Sequence, residues 1–280
     1  MLFPTKYNFY YTNLAAVPNS TLGTQVVPGY NNTKGSWTQV ASAANIAQTC
    51  YLINLIIVNA GGNGITPQLT FDIGIDTAGG TSYTAIISNA TAGGAGSVSN
   101  RGKDYVFPIT VPAGSSVAIR AASPTTGSLN EHRARYIIEF WGQPTTMNSP
   151  IGTFSETIGY TSGTTGTSFT LGNATYGSWT SLGTTTNPLW WWQLGVNYDN
   201  NTVVTGGTLL IQLAHGDVTT KNIINTHISS IGTGESHSDF FSSNTWQAYS
   251  PLPAGTELWV RGLQSATPDT GYNATVIGIG

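Results

Sequence analysis

Two phrases in this chain, VPAGSSVAIRAAS (residues 111–123) and LPAGTELWVRGLQS (residues 252–265), are built on one skeleton. Each has an apolar residue, Pro-Ala-Gly, two polar residues, three mostly apolar ones and then an arginine. KGSWTQV (residues 34–40) returns in the same way as YGSWTSL (residues 176–182). Trp37 and Trp179 lie about 142 residues apart and Arg120 and Arg261 about 141, a near-constant offset that marks duplication of a whole domain rather than a short solenoid period. The segments between follow suit. INLIIVNA (53–60) matches WWQLGVNY (191–198), LTFDIGID (69–76) matches LLIQLAHGD (209–217), and RYIIEFWG (135–142) matches NATVIGIG (273–280). Whatever one copy folds into, the other must fold into as well.

Each copy reads as β. Short runs rich in Val, Ile, Thr, Tyr and Trp are separated by Gly, Asn, Ser and Pro clusters, the spacing expected of a sandwich or jelly roll. SVAIRA places Val117 and Ile119 on one face with Ala118 and Arg120 on the other. ELWVRG does the same with Leu258 and Val260 against Trp259 and Arg261. No segment sustains a capped helical period. The predicted fold is therefore all-β: two tandem β-sandwich (jelly-roll-like) domains at residues 21–145 and 146–280, preceded by an extended N-terminal arm, residues 1–20. Pro112 and Pro253 suit a strand entry that needs no amide donor, and Gly114 and Gly255 suit the tight turn beside them.

Composition narrows the function classes. Charged residues are only 8% of the 280, yet 39% are hydrophobic, so there is material for cores and no signature of disorder. A net charge of -3 without a Lys/Arg run argues against a nucleic-acid or anionic-membrane partner. The lone cysteine, Cys50, excludes an intrachain disulfide and reads as a buried structural thiol. No secretory leader or membrane-spanning apolar run is recognisable, which predicts synthesis in a cytosol.

The search for chemistry yields little. His215, Asp217, His227, His237 and Asp239 have imidazole–carboxylate spacing, but the first copy lacks matching histidines, so no metal and no cofactor is expected. Asp72 and Glu139 are the best-placed acids, and their second-copy counterparts are Gln212 and Ile277. Pairing with Arg120 or Arg135 in a neighbouring strand is the expectation, not a glycosidase pair. No serine sits in a nucleophile-elbow context, so the chain is not expected to be an enzyme. Arg120 and Arg261 are predicted to be structural, pairing with a carboxylate or carbonyl at the sheet edge. Trp37 and Trp179 read as core or sheet-packing residues. Of the consecutive Trp190, Trp191 and Trp192, a strand must turn at least one away, to pack at an interface or between domains or to stack on a glycan.

Three segments, KGSWTQV, FDIGI (71–75) and YVFPITVPAGSSVAIRA (105–121), resemble the modules of a family of tailed-bacteriophage virion structural proteins. Those modules read roughly GSW, a strand, F-x-I/D-I-G, a variable loop and F-P-x-x-I-P-A-G-x-x-I-x-x-R. The second copy departs from the pattern, with LIQLAHGD and WQAYSPLPAGTELWVRG in the corresponding places. The resemblance implies a virion component made in the host bacterial cytoplasm, most simply a capsid decoration (cement) protein on the outer capsid surface. Its partners would be the major capsid protein and further copies of itself. The arm, through Phe3, Tyr7, Phe9, Tyr10 and Tyr11, would then dock on the shell or a neighbouring subunit. A tail or fibre adhesin that binds host surface glycans is the alternative.

Overall fold

The computed structural model describes residues 12–13, 23–59, 69–92, 103–123, 134–142, 151–160, 166–198, 207–231, 251–268 and 270–280. Among these, the only helical element is one 3-10 turn, Ala43–Asn45. The first module holds β1 (Thr12–Asn13), β2 (Thr24–Val26), β3 (Thr38–Ala41), β4 (Leu52–Asn59), β5 (Leu69–Asp76), β6 (Thr84–Ala92), β7 (Lys103–Phe107), β8 (Ser116–Ala122) and β9 (Ala134–Trp141). The second holds β10 (Ser155–Ile158), β11 (Thr167–Phe169), β12 (Leu171–Asn173), β13 (Thr180–Thr184), β14 (Trp191–Tyr198), β15 (Gly207–Gly216), β16 (Lys221–Ile231), β17 (Glu257–Gln264) and β18 (Tyr272–Ile279).

Each module is a pair of sheets. In the first, β1–β9–β4–β7, with β2 also on β9, faces β3–β8–β5–β6. In the second, β10–β18–β11, with β14 also on β18, faces β12–β17–β15–β16, with β13 also on β17. The correspondence extends to the first strands: Thr12 lies opposite Phe140 on β9, and Ser155 opposite Ile279 on β18. Part of the segment read from sequence as an arm is thus a strand of the first module. Phe3, Tyr7, Phe9, Tyr10 and Tyr11 lie outside the described residues.

One letter-by-letter match needs correcting. Leu52 pairs with Trp141 and Trp191 with Ile279, so the ladders align Trp191 with Leu52 rather than with Ile53. Strand faces alternate with period 2, and a slip of one residue would turn every side chain to the wrong face.

Alternation builds the cores. Ile53, Leu55 and Ile57 of β4 and Tyr136, Ile138 and Phe140 of β9 point inward, where they meet Val117, Ile119 and Phe71 of the opposing sheet. Phe71 stands edge-on to Tyr105, Phe107 and Tyr136, with centroids 5.7, 6.3 and 6.2 Å away, the offset that ring quadrupoles favour. The second core is more aliphatic, with Trp192, Leu194, Val196, Leu209, Ile211, Leu213, Leu258 and Val260.

The modules are joined by a packed surface. Trp191, Ile277 and Ile279, on the outer face of the β14–β18 sheet, pack against the first module's core cluster. Thr157 Oγ1 donates to the carbonyl of Ser88 on the edge strand β6, and the hydroxyls of Thr91 and Thr275 lie 3.2 Å apart. Gly195 makes room for this, because a Cβ there would stand 2.9 Å from Thr275 Oγ1 and 3.2 Å from Thr91 Oγ1. Backbone bonds from Gly152 N to Pro108 O (2.9 Å) and from Thr110 N to Gly152 O (3.0 Å) complete the join.

Candidate functional site

The repeated phrase forms the same object in both modules. Pro112 O accepts from Ser115 N at 3.3 Å and Pro253 O from Thr256 N at 3.3 Å, closing a tight turn on Gly114 (φ 76) and Gly255 (φ 80). A Cβ at either glycine would meet nothing within 4 Å, so the left-handed backbone alone requires glycine there. The turn launches β8 and β17. Their inward residues enter the cores, and Arg120 and Arg261 emerge on the outer sheet face.

There each arginine lies over the tryptophan of the GSW motif, Arg120 Cζ 4.4 Å from the Trp37 ring centroid and Arg261 Cζ 4.3 Å from that of Trp179. This is cation–π stacking, worth about 0.5–2 kcal/mol according to how far water is excluded. The tryptophans pack on the sheet rather than in the core. Trp37 lies flat because residue 74 is glycine: a Cβ there would sit 2.7 Å from the indole. That explains the glycine of FDIGI.

Each arginine also reaches across the ladder. Arg120 Nε donates to Asp72 Oδ2 at 2.8 Å, and Arg261 Nε donates to Gln212 Oε1 at 2.9 Å. These residues are directly opposed, Asp72 with Arg120 and Gln212 with Arg261. The expected structural pairing is present in both copies, although the arginines sit within the sheets, between β13 or β3 on one side and β15 or β5 on the other, rather than at an edge.

Around this shared core the nodes differ. Buried Asp72 also accepts from Asn89 N at 2.7 Å through Oδ1, and the same oxygen pairs with Lys34 Nζ at 2.9 Å. Burial outweighs the attraction of Asp72 and brings the Lys34 pKa down to about 8. In the second node Tyr176 replaces Lys34, and its ring lies 4.5 Å from Arg261 Cζ. The first node adjoins the second module through Tyr160, whose hydroxyl pKa is raised by burial, with the charge of Asp72 adding to the effect.

The remaining predicted positions separate. Glu139 lies on the other sheet of the sandwich, where Oε2 accepts from Asn54 Nδ2 at 2.9 Å. Asp72 and Glu139 occupy the outer faces of opposite sheets, so they cannot flank one substrate groove. Arg135 Nη1 donates to Gly23 O at 3.1 Å. Asp217 caps the β15–β16 hairpin, with Oδ1 accepting from Thr219 N, Thr219 Oγ1 and Thr220 N at 2.6–2.7 Å; these bonds hold its pKa down to about 2. His237 and Asp239 lie outside the described residues, among which no three His, Cys, Asp or Glu side chains gather. Cys50 is buried, and burial pushes its thiol up to about 11.

The tryptophan triplet splits three ways. Trp192 is 3% exposed in the second core, Trp191 packs at the module joint, and Trp190 remains 42% exposed.

No family model and no curated protein matches the chain. Among solved structures it is similar to PNGF-II, with 9% identity, a TM-score of 0.38, and coverage of 97% of this chain and 65% of that one. It is also similar to the tandem CBM22-1–CBM22-2 domain of Paenibacillus barcinonensis Xyn10C, at 11% identity and a TM-score of 0.25, covering 99% of this chain and 90% of that one. A fucolectin from striped bass (Morone saxatilis) serum gives 11% identity and a TM-score of 0.20, covering 83% and 80%. At these scores nothing is carried over from those proteins to this chain.

Proposed function

We propose that the chain is a virion structural protein: a capsid decoration (cement) protein that binds the outer surface of a phage head and bridges neighbouring capsomers. The observation that carries the reading is the packed joint between two copies of one sandwich. Two equivalent modules held at a set separation suit attachment to an array of repeated subunits, and a joint of packed apolar side chains and hydrogen bonds limits their relative motion. The motif resemblance supplies the particle, and the major capsid protein is then the partner. The arginine nodes serve the modules internally, and the role needs no catalytic group and no cofactor.

A second reading rests on Trp190. Its exposed ring is a ready stacking surface for a sugar and favours a tail or fibre adhesin for host glycans. Counting and imaging the protein on purified particles separates the two. Hundreds of copies on the head support decoration; a few copies at the tail tip reject it. A glycan-binding signal lost on Trp190→Ala would establish the adhesin.

A further inference from the structure

The joint between the modules is built on an irregularity of β6 that β16 does not share. Both strands carry a bulge at one equivalent place. Ile86 is the extra residue between the pairs Ile73–Ile87 and Gly74–Ala85, and Ile224 is the extra residue between Leu213–Asn225 and Ala214–Ile223. Each of these isoleucines packs, partly buried, against its own core. β6 has a second bulge. Phe71 pairs with Ala90 and Ile73 with Ile87, so Ser88 and Asn89 together face Asp72. At the same ladder position of the second module Gln212 faces Thr226 in regular register. A bulge of this kind bends its strand and re-aims the groups it carries.

Asp72 holds the extra residue. Its Oδ1 accepts from Asn89 N at 2.7 Å and pairs with Lys34 Nζ at 2.9 Å, while Oδ2 accepts from Arg120 Nε at 2.8 Å. The side chain on which these donors converge belongs to a residue 2% exposed. A carboxylate accepts on both oxygens, whereas a side-chain amide accepts on its oxygen and donates from its nitrogen. Gln212 can serve Arg261 through Oε1, but with a bulge amide to satisfy as well a glutamine would turn its own donor toward another. Asn89 itself sits in the left-handed region at φ 55, which asparagine enters more readily than most residues.

The bulge faces the second module. Thr157 Oγ1 on β10 donates to the carbonyl of Ser88, and two residues beyond Asn89 the hydroxyl of Thr91 meets that of Thr275. β10 is a four-residue strand at the edge of its sheet, and β6 is the edge of another, so each edge covers the other. We propose that the charged node of the first module is the latch of the module joint: Asp72 pins the Ser88–Asn89 bulge, and the pinned bulge seats β10. The two edges differ accordingly. Thr91 on β6 is 3% exposed, and Ile228, at the same ladder position on β16, is 65% exposed. The carboxylate and the bulge occur together on the covered edge, and the amide and the regular ladder on the bare one. Asp72 is thus a positioning residue for the joint as well as the partner of Arg120. This proposal stands on the module joint, not on the capsid reading.

The test is hydrogen exchange of the full chain, read by mass spectrometry, for the wild type, the double variant Lys34→Tyr/Asp72→Gln and Thr157→Val. The double variant gives the first node the groups of the second, so Arg120 keeps an acceptor while the bulge amide loses its anchor. β10 should then exchange at least about tenfold faster, although neither substitution lies in the second module. β15, on the other sheet of that module, should keep its wild-type rate. Thr157→Val should in turn speed exchange in β6. Added to the double variant it should change neither β6 nor β10 further, because both variants cut the same link. Wild-type exchange of β10 in the double variant overturns the proposal, as does an equal rise across both modules or an additive effect of Thr157→Val. If the double variant does not fold, Thr157→Val decides alone: faster exchange in β6 sustains the latch, and unchanged exchange overturns it.

Discussion

Around Arg120 three charges meet, those of Lys34, Asp72 and the arginine itself, whereas the corresponding ring of Tyr176, Gln212 and Arg261 carries one. The formal sum is the same. The second module lacks both the cation and the anion that the first has, so the arginine keeps its stacking tryptophan and its cross-strand acceptor in both. The comparison shows which parts of the node the fold needs: an arginine, an aromatic platform beneath it and an oxygen opposite. The extra ion pair is a local solution, and a buried charge is tolerable only with its partner.

Substitutions should expose that asymmetry. Asp72→Asn leaves the largely buried Lys34 and the partly exposed Arg120 without a counter-charge, and should cost about 3 kcal/mol in denaturant unfolding. A next effect comes from pH. Lys34 titrates at about 8 in the folded chain and at 10.5 when free. Between those values the unfolded chain holds a proton that the folded chain has released, so this residue makes stability rise with pH across that window. The rise is bounded by about 3 kcal/mol. Cys50 and the buried Tyr136 act oppositely at alkaline pH, since burial raises both. The readout is therefore the difference between wild type and Lys34→Met, which should grow from pH 8 to 10.5; a flat difference removes lysine burial from the account. In the neutral node, Gln212→Leu loses one hydrogen bond to a charged group and should cost about 2 kcal/mol, less than Asp72→Asn. Gly114→Ala and Gly255→Ala should each cost about 1 kcal/mol, and equally, because both turns have nearly the same positive φ and the same open space. Unequal costs there would break the equivalence of the two turns.

Much of this architecture was legible because the duplication preserved strand pattern and turn residues together. Pro-Ala-Gly announced the turn, and the alternation in SVAIRA and ELWVRG put the arginines on the outer face. The stack on Trp37 and Trp179 was not legible. Those residues sit about eighty positions before their arginines, and periodicity within a strand says nothing about which strand lies beside it. The usable signal was the shared offset of the GSW and arginine motifs, which shows that the two travel together. Lys34 carries no signal of its own in the sequence, because a lysine beside a motif reads as solvated surface. Trp191 and Trp192 divide between faces as alternation requires, but the joint that receives Trp191 depends on a contact between modules that no local pattern encodes. The one-residue slip in matching β4 to β14 has the same origin, since similar letters do not fix a ladder register.

The claim that the repeated arginine phrase builds a charge-balanced structural node is tested most directly by transplanting the second node into the first. Stability should be measured for Lys34→Tyr, Asp72→Gln and the double variant. The account predicts that the double variant loses at least about 1.5 kcal/mol less than the sum of the two single losses, because it removes the cation and the anion together. Additive losses, agreeing within about 0.5 kcal/mol, would contradict it.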